Sequence, residues 1–208
     1  KYNWYMKNVL VTGGAGYIGS HVVEKLIKKK IKTIIVDNLS TGYKSLINKK
    51  AFFYLCDIKN FKKLNKIFKK HNISSVIHLA ASLSVGESEK KPKKYYLNNV
   101  LGTKNVIKCC NQNNVKNLIF SSTCAVYKDQ MKIVKESSKV KPKSIYGKTK
   151  LAAEKLIKNN INKKKMNYAI LRYFNVAGAS ESGKIGQISR GDQLFKNLSI
   201  SAIKTKPK

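Results

Sequence analysis

The chain has 208 residues, 42% of them hydrophobic, which is enough for one domain with a sizeable core, or for one domain and part of another. A formal net charge of +33 is typical of nucleic-acid or anionic-membrane partners, but the lysines are scattered and the only arginines are Arg172 and Arg190. We therefore expect solvated lysine faces rather than a nucleic-acid site. The sequence contains no run of about 18 apolar residues, so it predicts no membrane span.

Short apolar runs rich in β-branched residues predict buried strands at 8–13, 32–37, 51–56, 75–80, 117–122 and 168–174. Segments with helical periodicity lie between most of them, at 18–30, 61–71, 95–112 and 146–160. Continuous apolar runs indicate strands buried on both faces, and the alternation of strand and helix indicates a parallel sheet. The predicted fold class is α/β, a doubly wound parallel sheet.

The first predicted strand runs into a glycine-rich turn, in which Gly13, Gly16 and Gly19 precede and enter a helix. This spacing allows a tight turn, close approach of a pyrophosphate to the backbone and close helix packing, while the helix N-terminus offers N–H donors. About twenty residues on, Asp37 ends the second strand, where a carboxylate suits the ribose of NAD and repels the 2′-phosphate of NADP. The alternative is that Asp37 merely caps a turn with Asn38. The pattern predicts a dinucleotide site for NAD.

Tyr146 and Lys150 in YGKTK lie four residues apart, on one face of a predicted helix. An ammonium beside a phenol is expected to lower the pKa of the phenol and make Tyr146 a general base near neutral pH. The alternative is an ordinary exposed pair, which arises easily in a lysine-rich chain. Thr123 follows the fifth strand and should converge on the same region, because ligands of open parallel sheets bind at the carboxyl ends of the strands. Together the three groups predict reversible removal of a proton from an alcohol.

A set of stretches between about Met6 and Ala179 carries a resemblance to a known family: TGGAGYIGSH, DNLSTG, VIHLAA, VGESEKKPKKYYLNNVLGT, FSSTCAVY, YGKTKLAAE and LRYFNVAGA. They resemble the extended short-chain dehydrogenase/reductases, and among these the UDP-glucose 4-epimerases. The resemblance implies a Rossmann fold, NAD that stays bound, and interconversion of UDP-glucose and UDP-galactose through a transient 4-keto sugar. It also implies that Tyr146 takes the proton of the sugar O4, that Thr123 bonds to O4, and that Lys150 binds the ribose.

The resemblance assigns further residues position by position. For NAD it implies the glycine turn with Tyr17 and Ile18, then Asp37, Asn38, Asp57, Ile58, Leu79, Ala80, Ala81, Asn98, Tyr146, Lys150 and Tyr173. For the UDP-sugar it implies Thr123, Tyr146, Phe174, Asn175, Gln193 and Leu194. Alternatively, Ile58 and Phe174 are plain core residues, and Asn98 caps a helix.

The sequence departs from the family pattern at several positions. Leu83 stands where certain members have a lysine near the cofactor phosphates. Lys128 replaces a usual turn glycine, which would carry strain if the turn needs positive φ. The family also continues well past position 208, so the fragment alone is expected to keep some NAD affinity and little or no turnover.

Three segments are expected along the chain: 1–5 as a non-native or disordered leader, 6–176 as the NAD-binding Rossmann domain, and 177–208 as the beginning of a small substrate domain. A helix at 191–204 should then expose Leu194, Leu198 and Ile203. By resemblance, the full-length protein is expected to be a homodimer that pairs through helices 95–112 and 146–160.

Relatives on the same scaffold remain as alternatives. Sugar-nucleotide 4,6-dehydratases place Asp-Glu after the strand-five hydroxyl, whereas this chain has Cys124 and Ala125 there. Epimerases for N-acetylated or uronic UDP-sugars stay open, and so does a non-catalytic RNA-binding protein on the same scaffold, which the net charge keeps in view.

The cysteines indicate a reducing compartment. Cys56, Cys109, Cys110 and Cys124 show no CxxC spacing and mostly stand in apolar segments, as buried reduced thiols do. The start of the chain lacks the apolar core of a signal peptide. We therefore expect a cytoplasmic protein.

Overall fold

The structure is a computed structural model that describes residues 7–128, 133–161, 165–188 and 194–204. The expected leader at 1–5 and the proposed uracil contact Gln193 lie outside the described residues.

One parallel sheet of six strands forms the centre of the fold. The strands are β1 (Asn8–Thr12), β2 (Lys32–Asp37), β3 (Phe52–Leu55), β4 (Ser75–His78), β5 (Asn117–Ser121) and β6 (Asn167–Leu171). Their order is β3-β2-β1-β4-β5-β6, with β1 paired to β2 on one side and to β4 on the other. The order reverses between β1 and β4, which is where such sheets bind nucleotides. The predicted doubly wound parallel sheet is confirmed.

The helices are α1 (Tyr17–Lys28), α2 (Phe61–His71), α3 (Val85–Lys90), α4 (Pro92–Tyr95), α5 (Gly102–Gln112), α6 (Ile145–Asn160) and α7 (Leu194–Lys204). A π-helical segment, Tyr96–Leu101, joins α4 to α5 where the periodicity predicted a single helix. Each π turn carries one residue more than an α turn, so it rotates the side chains that follow, and such segments are frequent at functional sites. This one contains the predicted cofactor residue Asn98.

Two apolar layers hold the helices against the sheet. One contains Leu64 and Phe68 of α2, Val106 of α5 and Ile157 of α6; the other packs Val23 of α1 on the opposite face. Every apolar residue of β1 and β2 is fully buried, as the continuous apolar runs predict. The burial of this surface is the main term that stabilises the fold.

The four cysteines are free, and Cys56, Cys109 and Cys110 are buried, as predicted. Burial raises the pKa of the Cys109 thiol to about 12. None of the described helices is both long and apolar enough to cross a membrane.

The chain becomes irregular after β6, which ends at Leu171 rather than at the predicted residue 174. The final helix α7 exposes Leu194 (54%), Leu198 (56%) and Ile203 (84%), as expected from the sequence. Exposed apolar side chains of this kind are typical of a helix face that packs against other protein.

Candidate active site

The glycine turn brings the start of α1 against the end of β1. Gly13 has φ +73°, and a Cβ on it would lie 2.8 Å from the backbone nitrogen of Ala80. A Cβ on Gly19 would lie 2.0 Å from the carbonyl oxygen of Gly13, so only glycine lets the helix approach the turn this closely. Gly16 is the N-cap and offers no side chain to the first-turn N–H groups. The turn is therefore a backbone cradle at the positive end of a helix dipole.

Asp37 holds this cradle from the end of β2. One carboxylate oxygen accepts a hydrogen bond of 3.0 Å from the Ala15 N–H, and the other accepts one of 2.8 Å from the Leu39 N–H. Asp37 therefore does cap the turn, as the alternative proposed, and it does so by accepting from the Leu39 N–H and not from Asn38. A carboxylate has about four acceptor positions, so Asp37 keeps the capacity to receive ribose hydroxyls.

The ends of β2 and β3 meet through side chains. The Asn38 amide donates a 3.1 Å hydrogen bond to the Asp57 carboxylate, which also lies 3.5 Å from the Lys59 ammonium. Ile58 is 4% exposed and packs so closely on α5 that a Cβ on Gly102 would lie 2.5 Å from its Cδ1. Ile58 is therefore a core residue, and its neighbours Asp57 and Lys59 form the polar edge of the sheet.

A buried histidine that the sequence analysis missed anchors the end of β4. The Thr12 hydroxyl lies 2.7 Å from Nδ1 of His78, and the Thr103 hydroxyl lies 2.9 Å from Nε2. Thr12 also accepts hydrogen bonds of 3.2 Å from the N–H groups of Leu79 and Ala80. Burial, with the nearby Lys150 ammonium, lowers the pKa of His78 to about 3, so the ring is neutral. The sequence signal that could have predicted this buried residue is a single histidine inside the apolar run VIHLAA.

Asn98 and Asn99 have different roles in the π segment. Asn98 is part-buried and donates a 3.1 Å hydrogen bond to the Ser82 hydroxyl; it lies inside the segment, so the helix-cap alternative is wrong. Asn99 is 2% exposed, accepts from the Ser82 N–H at 2.8 Å and donates to the Thr149 hydroxyl at 3.2 Å. Asn99, also missed, thereby ties the loop after β4 to α6.

Thr123, Tyr146 and Lys150 come together at the carboxyl edge of the sheet, as predicted. Tyr146 is 9% exposed and hydrogen-bonds through its side chain to Thr123, and Lys150 is 2% exposed one turn further along α6. The exposed-pair alternative is therefore wrong. The Lys150 ammonium donates a 2.7 Å hydrogen bond to the Ser121 carbonyl and lies 5.0 Å from the centre of the Phe120 ring.

The lowered pKa predicted for Tyr146 is wrong for this chain. Burial raises the pKa of Tyr146 to about 12, and the hydrogen bond with Thr123 offsets only part of that rise. Burial lowers the pKa of Lys150 to about 7, against an opposing effect of Glu154. The prediction failed because the same burial that gathers these groups disfavours a charge on either of them.

The start of α6 is fixed by groups from a neighbouring helix. Its N-cap Ser144 accepts a 3.0 Å hydrogen bond from the Gly147 N–H. The Tyr146 N–H donates to the Ser88 hydroxyl at 3.1 Å, and the Ile145 N–H donates to the Glu89 carboxylate at 2.7 Å. These bonds satisfy first-turn donors and place a negative charge at the N-terminus, so they hold the backbone that carries Tyr146.

The predicted sugar-nucleotide residues are only partly gathered. The Tyr173 hydroxyl hydrogen-bonds to Ser121, and its carbonyl accepts a 3.1 Å bond from the Cys124 N–H, so it stands beside the strand that carries Thr123. Phe174 is 64% exposed, which excludes the core alternative; Asn175 and Leu194 are exposed as well.

The two sequence departures do not disturb the site. Leu83 is 54% exposed, and Lys128 is absent from the described residues that have positive φ. Its N–H donates a 2.9 Å hydrogen bond to the Lys139 carbonyl, so the turn does not require glycine. Among the described residues, no group of three His, Cys, Asp or Glu side chains is arranged to hold a metal ion.

The sequence pattern of the NAD dependent epimerase/dehydratase family matches residues 9–192. The chain belongs to this family. A UDP-glucose 4-epimerase of Halalkalibacterium halodurans is 43% identical over 180 residues, which are 86% of this chain and 54% of that protein.

Solved structures agree with that assignment. A UDP-glucose 4-epimerase from Brucella ovis in complex with NAD is 39% identical with a TM-score of 0.84, over 88% of this chain and 56% of that one. The enzyme from Thermotoga maritima with UDP-glucose is 37% identical with a TM-score of 0.80, over 86% and 60%. The chain thus spans little more than half the length of these relatives.

Proposed function

We propose that the protein containing this chain is an NAD-dependent 4-epimerase that interconverts UDP-glucose and UDP-galactose. The observation that carries the proposal is the buried group of Thr123, Tyr146 and Lys150 at the same carboxyl edge of the sheet as the glycine cradle. Residues 6–176 would then form the cofactor domain, and residues from 177 onward would begin the part that binds the sugar nucleotide.

The residues at the sheet edge suit NAD. The uncapped start of α1 in the cradle offers backbone N–H groups to a pyrophosphate, and Asp37 has acceptor positions for an unphosphorylated ribose. The Lys150 ammonium has three donors, of which the described contacts use one, on Ser121. We assign the others to ribose hydroxyls. Asn38, Asp57 and Asn98 would line the adenosine and nicotinamide ends of the same groove.

The chemistry follows from the three buried groups. Tyr146 takes the proton from the sugar O4. The Thr123 hydroxyl, which hydrogen-bonds to Tyr146, also binds that oxygen. NAD, which the glycine cradle, Asp37 and Lys150 would hold, would supply a reversible acceptor for the hydride of C4. Lys150 would stabilise the phenolate of Tyr146 by its positive charge, against the effect of burial. The 4-keto sugar must turn between the two transfers, so hydride reaches the opposite face and the configuration at C4 inverts.

The residues after Thr123 favour epimerisation over elimination of water. Cys124 and Ala125 form a short 3₁₀ turn there, and neither offers the acid or the base that a 4,6-dehydratase needs. The UDP-sugar contacts Phe174, Asn175 and Leu194 belong to the exposed part of the chain. Discrimination between glucose and N-acetylated or uronic sugars would depend on what surrounds those residues.

We infer a homodimer through the π segment and α6. Tyr96 and Leu101 of the π segment are 58% and 38% exposed, although both are apolar or aromatic. An open groove with a volume of about 400 Å³ lies between this segment and α6. Its lining is mostly apolar and includes two lysines: Pro92, Lys93, Tyr96, Val100, Ile145, Lys148, Thr149 and Ala152. Apolar surface of this kind on facing helices is typical of a helical pairing interface.

The first experiment is an assay of the full-length protein that carries this chain, with UDP-galactose and no added nicotinamide. We expect UDP-glucose to form, and Tyr146→Phe to lower the rate by at least about 10³-fold, because the variant keeps the ring and loses the proton acceptor. Cofactor released on denaturation should be NAD in both proteins, which separates lost catalysis from lost binding.

Other results would redirect the assignment. Released NAD without turnover would reject the glucose/galactose proposal and direct the search to other UDP-sugars. Protein that carries no NAD, shows no turnover and binds RNA with a steep salt dependence would support the RNA-binding alternative instead.

A further inference from the structure

Helix α6 carries a third buried polar residue on the face that holds the predicted catalytic pair. Tyr146, Lys150 and Glu154 follow one another at intervals of four residues, so they form one stripe along the helix. Glu154 is 1% exposed, which is rare for a carboxylate unless it is paired. Neither the motif YGKTK nor the proposed reaction accounts for it.

The partners of Glu154 come from two strands. Arg172, directly after β6, donates two hydrogen bonds to the carboxylate, Nε to Oε1 at 2.9 Å and Nη2 to Oε2 at 2.6 Å. The Ser122 hydroxyl, directly before Thr123, donates to the same carboxylate. The Arg172 guanidinium also lies 5.0 Å from the centre of the Tyr127 ring. In a chain with almost only lysine as its basic residue, an arginine stands where the planar bidentate fork is used.

The surroundings of Lys150 explain why a carboxylate is needed nearby. The Ser121 carbonyl and the Phe120 ring meet its ammonium from β5, and His78 on β4 is neutral. Tyr173, after β6, is held by Ser121 and its phenol is protonated, because burial raises its pKa.

Tyr146, on the same helix, is also protonated in the chain on its own, since burial raises its pKa to about 12. Glu154 is therefore the negative charge that acts on Lys150 among the described residues, and it opposes the effect of burial on the pKa of Lys150. Arg172 is the cation on the other side of that carboxylate.

We propose that Glu154 is a positioning residue, which keeps the Lys150 ammonium protonated and ties the strand end that carries Thr123 to helix α6. It acts through Lys150 and Ser122 and touches neither sugar nor cofactor. Its relevance to turnover rests on the proposed function, but the charge on Lys150 does not.

The direct test is the titration of Lys150, followed by NMR of its side-chain ¹³Cε in the full-length protein labelled at lysine. Exposed lysines titrate near 10.4, so a buried lysine that titrates near 7 stands apart, and its loss in Lys150→Met assigns it. We expect Glu154→Gln to lower the titration midpoint by on the order of one pH unit, because an opposite charge is removed.

Two variants separate charge from packing. Ser122→Ala removes a hydrogen bond to the same carboxylate and keeps its charge, so the midpoint should stay at the wild-type value. Glu154→Asp keeps the charge on a shorter side chain. In this variant Lys150 should titrate near the wild-type midpoint even if the protein is less stable. An unchanged midpoint in Glu154→Gln, or an equal fall in Ser122→Ala, would overturn the proposal.

The charge-removing variant leaves Arg172 without its partner and is at risk of not folding. The double variant Glu154→Gln with Arg172→Gln does not leave the Arg172 guanidinium facing a lost partner, and the Lys150 midpoint should still fall in it. An unchanged midpoint in that folded double variant would equally overturn the proposal.

The same variants separate this inference from the proposed function. If both hold, the alkaline limb of the epimerase pH profile moves to lower pH in Glu154→Gln, since Lys150 loses its proton earlier. A fall of the NMR midpoint in a protein without epimerase activity would reject the proposed function alone. Activity with an unmoved midpoint would reject the role of Glu154 alone.

Discussion

The edge of the sheet around β1, β2 and β4 and the segment after β6 differ in how their predicted ligand residues are held. Around β1, β2 and β4, Asp37, Asn38 and Ala80 are all fixed by hydrogen bonds to neighbouring strand ends. After β6, Phe174 is 64% exposed and Asn175 is exposed too. A motif therefore identifies ligand residues, but a site forms only where other parts of the chain pack around them.

Acidification should break the hydrogen-bonded edge first. The pKa of His78 is about 3 in the folded chain and about 6.5 in an unfolded one, so the unfolded state binds more protons between these values. Stability should therefore be intact above pH 6.5 and fall by about 3 kcal/mol between pH 6.5 and 4. Urea unfolding across this range measures it.

The matched variant for this prediction is His78→Gln. It should unfold more easily at pH 7 but lose much of the pH dependence, because glutamine does not titrate. A wild-type stability that is flat from pH 6.5 to 4 would contradict a buried neutral histidine.

Gly19→Ala should disturb the cradle through packing alone. Its Cβ would lie 2.0 Å from the Gly13 carbonyl oxygen, so α1 must move away from the turn, at a cost of about 1–3 kcal/mol. We expect a lower melting temperature and a loss of bound NAD. The control is Gly86→Ala in α3, where a Cβ would meet nothing within 4 Å. Equal behaviour of the two variants would show that the cradle tolerates a side chain.

Lys150→Met should stabilise the chain, by about 1–2 kcal/mol at pH 7, while it abolishes turnover. The folded pKa of Lys150, about 7, lies below the usual 10.5, so the unfolded state binds more protons in between. The wild type should therefore gain stability as the pH rises through this window, and the variant should not. Thermal unfolding at pH 7 and 10 checks both signs; a destabilised variant would mean that the ammonium is favourably paired.

The elements with a clear local period could be predicted from the sequence, and the site only in part. The predicted strand 32–37 and helix 61–71 match β2 and α2, because burial on both faces leaves a continuous apolar run and burial on one face leaves a helical period. The π segment was missed, since one extra residue per turn hardly changes that pattern.

The electrostatics and the tertiary hydrogen bonds could not be predicted from local patterns. The spacing of Tyr146 and Lys150 gives their shared face, but the direction of their pKa shifts depends on burial that the fold creates. Likewise, Asn99 and Glu154 stand in stretches that carry the family resemblance, but their partners lie on segments distant in sequence, so those stretches do not show what they bond to.

The smallest effect is expected in the exposed region. Ile203 is 84% exposed on α7, so Ile203→Ser should change the stability of this 208-residue chain by less than about 0.5 kcal/mol. In a longer protein that covers α7, the same change should be clearly destabilising. Comparing the two unfolding curves would sharpen the contrast between the regions, and a large effect in the 208-residue chain would show that Ile203 is packed there already.

The fate of the hydrogen at the reacting carbon distinguishes the proposed epimerisation from other reactions of the same residues. UDP-galactose labelled with deuterium at C4 is converted by the full-length protein in ordinary water, and the product is examined by NMR. We expect UDP-glucose that keeps the deuterium at C4, because the hydride returns to the carbon it left. Deuterium lost to the solvent would contradict it, since the hydrogen would then have left as a proton and Tyr146, Thr123 and Lys150 would serve a different reaction.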